Sequence, residues 1–73
     1  MKYTMRTDIA YDDNGRSAEV YGVNAVDDSG VVRSVPNVFT ERARAERFIR
    51  LCNRKKLSVI HLDDVIEDAV AAE

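Results

Sequence analysis

The residue types able to do chemistry are few, because the chain holds one histidine and one cysteine. His61, Asp64 and Asp68 recur at i, i+3, i+7 and would fall within about 60° of one another around an ideal helix. One imidazole and two carboxylates suit several first-row metals, and three ligands would leave room for a reactive water. The helix rise weighs against a shared ion, since an i, i+7 span separates Cα atoms by about 10 Å and aspartate is short. Asp63, Asp64, Glu67 and Asp68 therefore read first as an acidic solvated face, with His61 making a helix-start hydrogen bond or packing on a neighbour. A metal held by His61, Asp64 and Asp68 is the weaker alternative.

Arg44, Arg47, Arg50 and Arg54, followed by Lys55 and Lys56, form a row of donors that could meet phosphates. A pI of about 5.3, the acidic segment that follows and the lack of a helix-turn-helix pattern count against nucleic acid. Salt bridges to acidic helices of the same or another copy are the preferred use of these arginines. Tyr3, Tyr11 and Tyr21 could form a stacking platform for RNA, but Tyr3 and Tyr11 fall on the expected core face and read as half-buried core. Cys52 lies beside Phe48 and Ile49 on an apolar stripe, where burial would raise its thiol pKa, and Asn53 can cap the helix end. No glycine-rich phosphate loop, paired cysteine motif or catalytic constellation is recognisable, so neither an enzyme nor a cofactor is expected.

The elements that must position these residues follow from turn signals and periodicity. Asn14-Gly15, between two alternating segments, predicts a hairpin with a two-residue turn. That turn pairs Tyr11 with Ala18, Ile9 with Val20, Thr7 with Gly22, Met5 with Asn24 and Tyr3 with Val26, all on one face. Glu19, Tyr21, Val23 and Ala25 then lie on the other. Asp27-Asp28-Ser29-Gly30 predicts a second turn into Val31-Val32-Arg33-Ser34-Val35, which Pro36 ends. Arg33 is a misfit on the inner face and needs Asn24 or an acidic partner.

Thr40 is the expected N-cap of a helix from Glu41 to about Lys55, with Ala45, Phe48, Ile49 and Cys52 on its apolar stripe and the arginines opposite. Ser58 is the expected cap of a second helix, in which Leu62, Val65, Ile66, Ala69 and Val70 follow the apolar rule. The expected fold is α+β: a three-stranded antiparallel β-meander followed by two α-helices packed on one sheet face, β-β-β-α-α, in a single domain over 1–73.

The bulk numbers bound the rest. Of the apolar residues eight are alanine, so a thin core must hold 73 residues, and domains of this size are marginal without help such as a second chain. A lone cysteine fits a reducing compartment, and the charged start of the chain shows no signal-peptide core, so a cytoplasmic protein with no membrane insertion is expected. Residues 40–56 carry seven basic and two acidic groups, while residues 57–73 carry five acidic and none basic. That segregation suggests self-complementation, within the chain or between copies.

Tyr21-Gly22-Val23, Cys52-Asn53 and Leu57 followed by His61-Leu62-Asp63-Asp64-Val65-Ile66-Glu67-Asp68 together resemble a family of short uncharacterised proteins from Firmicute bacteria, a domain of unknown function. The C-terminal box is the specific part. The position of Val59, often proline in that family, departs from its pattern. The resemblance covers most of the chain and implies a fold but no activity, substrate or cofactor.

The expected function is that of a non-catalytic protein-interaction module that self-associates as a homodimer through the open sheet face with Tyr21, Val23 and Ala25, a strand edge, or the helical surface. The alternative is nucleic-acid binding through the arginine face of the first helix.

Overall fold

The computed structural model describes residues 1–72. Strands β1 (Lys2–Tyr11), β2 (Ser17–Asp27) and β3 (Gly30–Phe39) form one antiparallel sheet in the order β1-β2-β3. Helix α1 (Arg42–Arg54), a 3-10 turn (Val59–His61) and helix α2 (Leu62–Ala71) complete the chain. This is the expected α+β fold.

The first turn is longer than the Asn-Gly signal implies. Asp12 and Arg16 close a three-residue loop: the Asp12 amide donates to the Arg16 carbonyl at 2.9 Å, and the Asp12 carboxylate accepts from the amides of Asn14 and Arg16. Gly15 takes the left-handed conformation, φ 78°, as a type I turn followed by a bulge requires. The added residue shifts the register by one, pairing Tyr3 with Ala25, Met5 with Val23 and Thr7 with Tyr21. A one-residue slip exchanges the faces of a strand. Tyr21, Val23 and Ala25, expected on the open face, are consequently 7%, 0% and 0% exposed in the core. Of the two tyrosines expected as half-buried core, Tyr3 is fully buried at 1% exposed and Tyr11 is 73% exposed near the hairpin tip.

Pro36 does not end β3. Between the pairs Val23–Val35 and Tyr21–Phe39 the third strand bulges through Pro36, Asn37 and Val38, opposite only Gly22, with Asn37 at φ 54°. A side chain at Gly22 would run into the Val35 carbonyl oxygen and the Pro36 Cα, so the bulge needs a bare position beneath it. The bulge returns Phe39 to the core, where its ring meets that of Phe48 at 5.5 Å.

Helix α1 begins one residue later than expected, with Glu41 rather than Thr40 at the N-cap and no side-chain capping bond. Its stripe Ala45, Phe48, Ile49 and Cys52 is buried. Its C-terminus closes by two bonds, from the Leu57 amide to the Cys52 carbonyl and from the Lys56 amide to the Asn53 carbonyl, with Lys56 left-handed at φ 51°. Ser58 opens the 3-10 turn rather than α2 itself, and its carbonyl accepts from the His61 amide at 3.0 Å. Leu62 and Ile66 are buried, Val65 and Ala69 half-buried, and Val70 stays outside the core.

Candidate interaction surface

The arginines of α1 do not stand on a plain solvent face. Arg44, Arg47, Arg50 and Arg54 line a groove of about 610 Å³ together with Phe39, Phe48, Leu51, Ala69 and Ala72. Each wall has a sequence origin. The β3 bulge delivers Phe39, and Leu51 stands at i+4 from Arg47 on the flank of the helix. Ala69 of α2 and Ala72, just past its end, are too small to close the seam between the helices. Cations on long aliphatic stems thus rim an apolar floor. Arg44 also lies 3.8 Å from Glu41, and Arg42 pairs with Glu46 at 3.0 Å.

Four expected site residues, Arg44, Arg47, Arg50 and Arg54, are therefore brought together, and the apolar floor between them was not foreseen. Its one signal in the sequence is Leu51, an apolar residue set among the arginines.

The acidic residues have a different fate. Asp63 accepts from Arg33 at 2.7 Å; Arg33, expected as a misfit on the inner face, is exposed and pairs with it at the margin of the sheet. Asp64, Glu67 and Asp68 are exposed along α2. His61 stands at the junction of the 3-10 turn and α2 without a side-chain capping bond. His61, Asp64 and Asp68 are not gathered: among the described residues no three of His, Cys, Asp and Glu are placed to hold a metal ion.

The sheet face away from the helices carries a polar ladder beside Val20 and Val26. Arg6 donates through Nε and Nη2 to Asp8 at 2.6 and 2.8 Å and through Nη1 to Ser34 Oγ at 2.7 Å, and Ser34 in turn donates to Asn24 Oδ1 at 2.6 Å. This ladder crosses all three strands. The Arg6 hydrogen bonds hold the Asp8 carboxyl below its ordinary value of 3.8, and Asp8 raises the guanidinium in return.

Asn53 serves neither as a cap nor on the groove. Its Oδ1 accepts from the Tyr3 amide at 2.7 Å and its Nδ2 donates to the Tyr3 carbonyl at 2.9 Å, so one side chain pairs with the outer edge of β1 as a neighbouring strand would. The Tyr3 hydroxyl donates to the Leu57 carbonyl at 2.6 Å. Burial pushes the Cys52 thiol up, and burial first, then Cys52, does the same to the Tyr3 phenol. Cys52 is thus a core residue with suppressed nucleophilicity. The Tyr21 phenol is raised chiefly by its hydrogen bond to Glu19 at 2.9 Å.

The chain belongs to the family of unknown function DUF6514, which matches residues 1–72. No curated protein and no solved structure matches it. No helix among the described residues is long and apolar enough to cross a membrane.

Proposed function

We propose that this DUF6514 member is a non-catalytic, cytoplasmic protein-association module, and that the groove along α1 receives its partner. Four arginines around an apolar floor carry this reading. Such a floor complements an amphipathic helix that bears acidic residues beside its apolar stripe. Arginine suits the task better than lysine, because its planar fork meets a carboxylate through two bonds while its stem covers apolar surface. The free, buried Cys52 is in keeping with a reducing compartment. Phosphates would also suit the arginines, but α2, which lends Ala69 to the groove, carries exposed Asp64, Glu67 and Asp68, whose charge counts against a polyanion.

The test is an NMR titration of the full chain with an acidic amphipathic helical peptide, a scrambled peptide of equal charge, and a single-stranded oligonucleotide. The amphipathic peptide is expected to shift Phe39, Leu51 and Ala69, with affinity lost on Arg47→Glu plus Arg50→Glu. Equal shifts from the scrambled peptide, or none from either, refute the proposal. Oligonucleotide binding that falls steeply with salt would put nucleic acid in its place.

A further inference from the structure

The two helices carry opposite charges that, among the described residues, are not paired with one another within the fold. Residues 40–56 hold seven basic and two acidic groups, and residues 57–73 hold five acidic and none basic. Yet among the described residues no ion pair joins Arg47, Arg50 or Arg54 to the carboxylates of α2, whose Asp63 turns instead to Arg33 at 2.7 Å. Asp64, Glu67 and Asp68 project outward. Val70, 41% exposed, stands about 60° around the helix from Glu67. The outer side of α2 is thus an acidic ridge with an apolar margin.

That ridge has the chemistry the groove would receive, yet among the described residues it makes no ion pair with Arg47, Arg50 or Arg54 of its own chain, although Ala69 of the same helix and Ala72 just past its end line that groove. A surface that carries a ridge and its complementary groove side by side is self-complementary and so can close on a twofold axis, with each copy giving and receiving once. The spans are compatible: Arg47 to Arg54 covers about 10 Å along α1 and Asp64 to Asp68 about 6 Å along α2, a difference within the reach of arginine stems. We propose that a second copy of this chain occupies the groove, the acidic ridge of each α2 lying against the arginines of the other copy's α1. This rests on the groove being a partner-receiving surface and names that partner.

Sedimentation velocity of the full chain, from micromolar to millimolar concentration and at low and high salt, tests it together with a charge exchange. One variant carries Arg47→Glu and Arg50→Glu, the other Asp64→Arg and Glu67→Arg. The wild type is expected to dimerise and to loosen as salt screens the pairs. Since a twofold axis repeats every pair, each variant alone should raise the dissociation constant by about a hundredfold. An equimolar mixture should recover dimer, because only the mixed pair places opposite charges in both contacts. All substituted side chains are exposed, and circular dichroism verifies that each variant folds.

The salt dependence of the wild type, with concentration-dependent NMR shifts at Leu51 and Val70, tests the contact without any substitution. A dimer indifferent to salt and to both variants, or a mixture that stays monomeric, overturns the proposal. A wild type monomeric at millimolar concentration also overturns it. Were the amphipathic peptide still to enter the groove, the association reading would survive with another partner; were it not to enter, both would fall.

Discussion

Replacing Asn53 by alanine is expected to destabilise the protein far more than a residue near a helix end ordinarily would. The side chain makes two hydrogen bonds to the backbone of Tyr3, itself 1% exposed. Each bond contributes about 0.5–1.5 kcal/mol, and a buried donor or acceptor left without a partner adds about 1–3 kcal/mol where water cannot replace it. Water entering the space left by the amide would satisfy part of that demand at an edge strand, so the expected loss is about 2–4 kcal/mol. For a domain of this size each kcal/mol lowers the melting temperature by about 4–8 °C, which makes the change unmistakable in a urea or thermal melt.

Asn53→Asp gives the mechanism a sharper test. The introduced carboxylate still accepts from the Tyr3 amide, but its second oxygen faces the Tyr3 carbonyl, where Asn53 donates at 2.9 Å. At neutral pH this variant should be no more stable than Asn53→Ala. It should recover on acidification, when a protonated carboxyl can donate: the group's folded pKa is then raised, and its stabilising effect is full only at acid pH. A loss below about 0.5 kcal/mol for Asn53→Ala, less than a typical single hydrogen bond, would refute the clamp.

Gly22→Ala should lose at least about 2 kcal/mol in urea melts, since the added carbon meets the Val35 carbonyl and the Pro36 Cα, at 2.9 Å from the latter, both of them backbone. A neutral result would mean that the β3 bulge does not lie over β2. Lys56→Gly should gain about 0.5–1 kcal/mol by relieving a left-handed residue at φ 51°, with Lys56→Ala as the control that does not. No gain would argue against that helix end. The Cys52 thiol and Tyr3 phenol are raised from 9.0 and 10.0, so the unfolded chain loses these protons first. Their contribution is complete below pH 9.0 and declines as pH rises through the ordinary values of first the thiol and then the phenol. Cys52→Ala should remove the first part of the decline in urea midpoint and leave the second only lessened, because burial rather than Cys52 is the larger cause of the Tyr3 shift; a flat alkaline profile in the wild type contradicts the burial of both.

What the sequence showed and what it hid divide along physical lines. Helix stripes depend on a local period, and Ala45, Phe48, Ile49, Cys52, Leu62 and Ile66 are buried where that period places them. Arg33 reads as an inward misfit needing an acidic partner; it does meet Asp63, but on the exposed margin of the sheet, where no burial demands the pair. The sheet register was not legible. Asn14-Gly15 favours a two-residue turn, but Asp12 offers its carboxylate to two loop amides and stabilises a longer one. That single residue exchanged the faces of β2, so the surface expected to be sticky is core and the true outer face is the Arg6–Ser34–Asn24 ladder. The β3 bulge was hidden for a related reason: Pro36 reads as a strand end until Gly22, on another strand, is seen to leave room for it. The groove arises only when the turn through Lys56 and Leu57 sets α2 beside α1. Its arginines could be read, and its floor could not.

Whether that groove is a packing defect or a receptor can be decided at Ala69. A larger apolar side chain there would fill the seam against Phe48 and Leu51, and filling such a space ordinarily adds about 0.5–2 kcal/mol. If the groove were only a defect, Ala69→Leu would raise the melting temperature and leave association unchanged. As a receptor it should show two opposite effects in one molecule: a more stable monomer in urea and a weaker response to the amphipathic peptide and to a second copy. The arginines are untouched in this variant, so a lost response cannot be assigned to altered charge. A stabilised protein that associates as before would move the contact elsewhere on the molecule. Association lost together with stability would say only that leucine does not fit, and Ala72→Leu, at an exposed position lining the same groove, then decides between the two readings.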